Sequence, residues 1–309
     1  MIPSPDEERV APASSTLDLI GNTPLVRIAR ITGGLNPKVR VYAKLERGNP
    51  GGSVKDRAAF RMIQDAEDAG LLTRDRTILD STSGNTGIAY AMIGAIKGYR
   101  VRIVIPENAS VERKKIMVRF GAELVFSSPL EGADGAIRMA KEIVREHPNR
   151  YFQPDQYNNP SNPKAHELTT GPEIIIQTSG TITHFVACVG TGGTIMGTGR
   201  ALKAFNPTIR VLSVHPDDVL HGIEGTKYLE EGAIVPRIFD MSFPDKRLTV
   251  DTEAAFDMTK RLAREEGLFV GTSSGAALLA ALTVADRLDE GIIVVMFPDG
   301  GDRYLSREL

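Results

Sequence analysis

Short runs of Val and Ile recur along the chain and alternate with stretches in which apolar residues return every three or four positions. The runs at 39–45, 76–80, 100–105, 123–126, 184–189, 209–214, 268–270 and 292–297 are predicted as strands. Several are apolar almost throughout, as expected of strands covered on both faces. Between them, residues 56–69 place Ala59, Met62, Ile63 and Ala66 on one helical stripe and stop at Gly70, which suits a helix C-terminus. Further helices are predicted at 86–97, 110–120, 132–146, 194–205, 252–266 and 275–288. Such alternation implies a largely parallel α/β sheet. One stretch, YFQPDQYNNPSNP at 151–163, interrupts it with turn-forming Asn and Pro, and βαβ blocks lie on both sides.

Composition narrows the picture by exclusion. The 309 residues are 41% apolar and 25% charged, as in globular proteins. With 37 basic and 39 acidic residues the net charge is −2, so no global basic field exists for nucleic acid or an anionic membrane. A single cysteine, Cys188, rules out internal disulfides and a Cys-rich zinc site, and the histidines show no metal spacing. No apolar run approaches the ~20 residues that span a bilayer. The polar, Pro-rich start, MIPSPDEERVAPASS, lacks the pattern of a secretory signal and reads as a flexible arm over 1–15. A cytoplasmic protein is expected.

Ligands of open α/β sheets sit beyond the C-terminal strand ends, so the loops there are where chemistry is sought. GTGGT at 190–194 follows a predicted strand and opens a helix. Its glycines let the backbone approach a ligand, and the free N–H groups of the helix start favour an anion. Position 195 is Ile rather than the third glycine of a dinucleotide fingerprint, and no Lys-Ser or Lys-Thr pair follows, so a monophosphate fits better than NAD or ATP. A turn that binds nothing is the alternative. STSGNTG at 81–87 packs hydroxyls, an amide and glycines into one turn, which suits a carboxylate or, equally, a helix capped by Ser83 or Asn85. NPGGSVKDR at 49–57 sets Lys55 after a tight turn at a positive helix end, which lowers an amine's pKa and suits a Schiff-base lysine; a solvated charge is the default. VGTSSGAA at 270–277 offers Ser273 or Ser274, each by default a helix cap. A lysine, a monophosphate cradle, a carboxylate cradle and a further serine together suggest pyridoxal phosphate.

The motifs IGNTPLVRI (20–28), KLERGNPGGSVKDR (44–57), STSGNTGIA (81–89), NPSNPKAHELTTGPEI (159–174), GTGGT (190–194), GTSSGAA (271–277) and DRYLS (302–306) resemble, in this order, the cysteine synthase family, the O-acetylserine sulfhydrylases of pyridoxal-phosphate fold type II. The resemblance implies two open, largely parallel βαβ domains with the cofactor in the cleft between them. The smaller, mobile domain would span 49–158 and the larger 16–48 plus 159–309. It implies that Lys55 forms the internal aldimine and moves the Cα proton. Gly190, Thr191, Gly192, Gly193 and Thr194 would hold the phosphate of pyridoxal 5'-phosphate, Asn85 its 3′-oxygen, and Ser273 its ring nitrogen. Thr82, Ser83, Thr86 and Gln156 would hold the substrate carboxylate, with Gly222 as a further substrate residue. The implied reaction is β-replacement: an activated serine such as O-acetyl-L-serine loses its Cβ group, leaving an aminoacrylate to which sulfide or another thiol adds.

A homodimer is also implied, with serine acetyltransferase as a possible partner. The stretch HGIEGTKYLEEGAIVP (221–236) resembles the B-type branch more than the A-type. Lys227 within it is read as a surface charge, with an anionic leaving group or donor as the alternative partner. Cys188 is expected to be an inert core residue and His166 a structural one. No Cys-His haem segment appears at the start, and the chain ends soon after DRYLS, which speaks against the animal type of cystathionine β-synthase. The rivals are a serine or threonine dehydratase, disfavoured by Thr86 directly after Asn85, and a non-enzymatic metabolite-binding homologue, disfavoured by the presence of Lys55.

Overall fold

A computed structural model describes residues 12–82, 84–229 and 235–306. Its strands are β1 (Leu25–Ile28), β2 (Val39–Leu45), β3 (Thr77–Ser81), β4 (Val101–Pro106), β5 (Glu123–Ser127), β6 (Tyr151–Phe152), β7 (His184–Cys188), β8 (Arg210–Pro216), β9 (Lys246–Val250) and β10 (Gly291–Phe297). Its helices are α1 (Lys55–Asp68), α2 (Asn85–Lys97), α3 (Val111–Arg119), α4 (Gly132–Glu146), α5 (Ser161–Leu168), α6 (Thr170–Gln177), α7 (Gly193–Phe205), α8 (Thr252–Glu266) and α9 (Thr272–Ala285). One sheet runs β1-β2-β10-β7-β8-β9, antiparallel at β1–β2 and parallel elsewhere. The other runs β5-β4-β3-β6 and is parallel throughout. Of the arm predicted over 1–15, residues 1–11 lie outside the described residues. The N–H groups of Ser14 and Ser15 both donate to Asp18 Oδ2 at 2.9 Å.

Both sheets are covered on both faces, which explains the unbroken apolar runs. In β3, Ile78 packs with Met62, Ile88 and Met117, whereas its neighbour Leu79 packs with Ala136 and Ala140 on the opposite face. In β7, Val186 joins Leu262 and Leu278, and Phe185 joins Ile174 and Leu202. Successive strand residues point to opposite faces, so a two-sided core needs apolar residues at every position.

The same reasoning accounts for what the pattern does not reveal. Edge strands β1 and β9 are each covered in part, so LVRI and KRLTV carry no continuous apolar run. Strand β6 has two residues. Helices α5 and α6 have eight residues each, with Pro163 and Pro172 in their first turns, so the stretch read as turns passes into helix at Ser161. The strand predicted at 268–270 is a single bridge, Val270 to Gly300, and the following helix begins at Thr272 rather than 275.

Inside β3, beside the buried Thr77 and Ser81, Asp80 is the ionisable residue. Its carboxyl accepts from Ser81 N–H at 2.9 Å and Tyr90 O–H at 3.0 Å, and burial pushes its pKa up to about 7. A carboxyl whose folded pKa exceeds its unfolded value stabilises the fold below the unfolded pKa, and that contribution is lost as pH rises through the folded one. Asp80→Asn should therefore gain stability relative to the wild-type chain between about pH 4 and pH 7, and the gain should level off above. Urea unfolding of both proteins across that range would show it; a constant difference would mean Asp80 is ionised in the fold.

Candidate active site

The loops leaving the C-terminal ends of β2, β3, β6, β7 and β10 meet around one pair of connected cavities. Lys55 is the first residue of α1, directly after the glycine turn, where Gly51 N–H donates to Asp56 Oδ2 at 2.6 Å. It is half-buried at the cavity wall, and its Nζ has no hydrogen-bond partner among the described residues. Burial pushes the Lys55 ammonium below its usual range, against the opposing pull of the Asp299 carboxylate.

Asn85 does not cap α2. Its Nδ2 donates to Asp299 Oδ2 at 2.6 Å, and its Oδ1 accepts from Arg303 Nη1 at 2.5 Å. Tyr304 O–H also donates to Asp299 Oδ2, at 2.6 Å. Asp299 is 1% exposed and its Oδ1 has no partner among the described residues. Arg113 of α3 pairs with Glu224 and lies over the Tyr304 ring at 4.5 Å. Asp299, Arg303, Tyr304, Arg113 and Glu224 were given no site role from the sequence, although Arg303 and Tyr304 lie in DRYLS and Glu224 in the 221–236 stretch. The first three follow β10, so the strand-end rule applied to the other loops would have found them.

The glycine loop has the shape its sequence requires. Gly192 precedes α7 with φ +85°, and a Cβ there would strike Phe239. Gly190, Thr191, Gly192 and Thr194 line the same cavity as Lys55 and Asn85, at the N-terminus of the 13-residue α7. Gly193 does not line it; it packs against Asn162, whose Oδ1 a Cβ would overlap. Behind the loop, His166 is buried, with Nδ1 2.9 Å from Thr170 Oγ1 and Nε2 3.3 Å from Thr194 Oγ1. Burial and the Arg57 charge push its pKa down to about 3, so the ring is neutral behind the loop.

Ser273 lines this cavity too, as the second residue of α9. Neither Ser273 nor Ser274 caps that helix; Gly271 is the N-cap, without a side-chain bond, and the Ser274 hydroxyl is buried without a partner among the described residues. Cys188 packs against the core cluster of Val186 and Leu278, as expected, and is also half-buried at the cavity wall, donating to Ser273 O at 3.2 Å. Burial pushes its thiol up to about 12, so it remains protonated.

A wider cavity shares Lys55, Asn85, Gly190 and Thr191 and is lined by Thr82, Thr86 and Gln156. Thr86 Oγ1 donates to Gln156 Oε1 at 2.8 Å, and Gln156 Nε2 donates to Ser81 O at 3.2 Å. Ser83 lies outside the described residues, as do 230–234 of the 221–236 stretch. Gly222 lines an adjoining cavity with Ser110, Phe256 and Thr272, apart from Thr82 and Thr86. Lys227 is no solvated surface charge: its side chain is 17% exposed at the wide cavity's wall, with Nζ 3.3 Å from Asp134 Oδ1 and 5.5 Å from the Tyr157 ring centre.

A glycine-cradled helix start, a half-buried lysine amine and the Thr191, Thr194 and Ser273 side chains around one cavity fit an aldehyde-bearing aromatic monophosphate. Comparison with known proteins agrees. The family model for pyridoxal-phosphate-dependent enzymes matches residues 16–299. The cysteine synthase of Aquifex aeolicus is 50% identical, over 98% of this chain and 94% of that protein. Cysteine synthase B of Pseudomonas aeruginosa is 44% identical, over 94% and 95%. Among solved structures, the cysteine synthase of Entamoeba histolytica superposes with a TM-score of 0.91 at 36% identity, covering 99% of this chain and 92% of that one. No helix among the described residues is long and apolar enough to cross a membrane.

Proposed function

This chain belongs to the pyridoxal-phosphate-dependent enzymes, among the cysteine synthases, and we propose that it makes L-cysteine from O-acetyl-L-serine and sulfide by β-replacement. The observation that carries this reading is the convergence of Lys55, the 190–194 loop, Ser273 and the Thr82–Thr86–Gln156 lobe on connected cavities. When bound, pyridoxal 5'-phosphate supplies an aldehyde for an amine and an electron sink for charge at the substrate Cα. Its phosphate is assigned to the N–H groups and hydroxyls of Gly190, Thr191, Gly192 and Thr194, with Gly193 giving the close packing behind them. Asn85, held by Asp299 and Arg303, is assigned to the 3′-oxygen, and the neutral Ser273 hydroxyl to the ring nitrogen.

Lys55 Nζ is the amine that carries the cofactor until the substrate amine replaces it. The same Nζ, whose proton burial makes easier to lose, then takes the Cα proton and later returns it. Thr82, Ser83, Thr86 and Gln156 hold the substrate carboxylate. To do so, the Thr86 hydroxyl must turn from Gln156 Oε1 towards the ligand. Acetate leaves Cβ, sulfide forms the new C–S bond, and the two half-reactions give ping-pong kinetics. The finer assignments within this reading are the B-type branch, a cytoplasmic homodimer, docking of serine acetyltransferase, and a smaller domain over 49–158 that closes when the carboxylate binds.

Incubation with O-acetylserine should release acetate, and addition of sulfide should yield cysteine. Thr86→Ala should slow acetate release by roughly 10- to 100-fold, the value of a hydrogen bond of ~1.5–3 kcal/mol to a charged group. The sulfide step should change much less, since sulfide has no carboxylate to hold. Stopped-flow measurement of each half separately decides this; equal losses in both would give Thr86 another role.

A further inference from the structure

Asn162 lines neither cavity, yet it touches the supports of both. It is the second residue of α5, 2% exposed, and lies between a loop of each sheet. Its Nδ2 donates to Gln156 O, after β6, at 2.7 Å and to Thr191 Oγ1, after β7, at 3.1 Å. An amide nitrogen carries two hydrogens, so both bonds form at once. Beyond Gln156 the chain of bonds continues to Thr86 and Ser81. On the other side, Gly193 leaves no room for a Cβ beside Asn162 Oδ1, so the amide is clamped against the glycine loop.

We propose that Asn162 is a positioning residue shared by the anion loop and the carboxylate lobe. Its amide fixes the Thr191 hydroxyl and the Gln156 backbone relative to one another, so one buried side chain governs the affinity for both cofactor phosphate and substrate carboxylate. The proposal rests on the functional reading above. A buried asparagine that only satisfied backbone groups would stabilise the fold without affecting both ligands together.

The test uses the full chain. Depleted of cofactor, it is titrated with pyridoxal 5'-phosphate; loaded with cofactor, it is titrated with L-alanine, which has the carboxylate but no leaving group. Asn162→Ala should weaken both by about 3- to 10-fold, the range of one neutral hydrogen bond. Because Asn162 and Thr191 share a bond, the loss of cofactor affinity in Asn162→Ala/Thr191→Ala should be smaller than the product of the two single losses. Asn162→Leu keeps roughly the volume, removes both donors and adds no charge, and serves if the Ala variant fails to fold. Affinities within twofold of the wild-type chain, a change in one ligand alone, or a fall in melting temperature with both affinities intact would overturn the proposal. If the wild-type chain itself took up no pyridoxal 5'-phosphate, the functional reading would fall and this proposal with it; wild-type uptake with unaltered variants would sink the proposal alone.

Discussion

Lys55→Ala should lose cysteine formation by roughly 10⁴-fold or more, because the cofactor-carrying amine and the proton-transferring base disappear together. The phosphate loop stands on β7 and α7, away from α1, so the variant should still take up pyridoxal 5'-phosphate, more weakly and reversibly. Methylamine, a diffusible amine, should restore part of the rate if Nζ acts mainly as base. In the wild-type chain, borohydride reduction of the loaded protein followed by peptide mapping should label the peptide containing Lys55. A label on Lys44 or Lys227, or turnover in the Ala variant within tenfold of wild type, would take the chemistry away from Lys55.

Arg57→Met should destabilise the fold by ~3–5 kcal/mol, the cost of leaving a buried charge without its partner. Arg57 is two residues along α1 from Lys55 and joins two carboxylates. Its Nε is 2.7 Å from Glu46 Oε2, and its Nη1 is 2.6 Å from Glu173 Oε1. Lys44 Nζ completes the cluster at 2.7 Å from Glu173 Oε2. Lys44 and Glu46 are fully buried, so two cations and two anions offset one another away from water. Burial alone would raise the Glu173 pKa, but Arg57 and Lys44 hold it down at about 2. A depressed carboxylate contributes stability above its unfolded pKa that is lost as pH falls through the folded one. Wild-type stability should therefore drop between about pH 4.5 and 2, and Arg57→Met should show a shallower drop. Urea unfolding at pH 7 and again at about pH 2.5 measures both effects. Adding Glu46→Leu to Arg57→Met should recover much of the loss, since an apolar pair of similar volume can replace a buried ion pair. A single variant within 1 kcal/mol of wild type, on the order of an exposed pair, would mean the cluster is solvated.

The candidate site was legible where its chemistry is local. Gly190 to Thr194 form a loop whose backbone demands are written in consecutive residues, and Lys55 and Asn85 each stand at a helix start signalled by the turn before it. A two-sided strand such as β10 was legible because burial on both faces makes nearly every position apolar. The half-covered edges β1 and β9 were not, because alternating or mixed exposure dilutes the signal. Ser273 shows the limit of local reasoning. Its sequence suits a helix cap, but the chain turns so that Gly271 takes that place and the serine faces the cavity.

By itself, then, the sequence determined the α/β class, the strand-end loops and the residue types able to hold an amine, an anion and a carboxylate. Those are properties of neighbouring residues: side-chain periodicity, glycine's backbone freedom, and N–H groups left free at a helix start. Only the tertiary structure decided which distant groups meet. Asn85 and Asp299 are 214 residues apart, Arg57 and Glu173 116 apart, and Arg113 and Glu224 111 apart. It also decided that Lys227 and Cys188 border the site, and that Gly222 faces another cavity. A polar residue reads the same in sequence whether it is solvated or paired in the interior. Burial and partnership are set by packing between sheets, and that packing depends on contacts no short window of sequence contains.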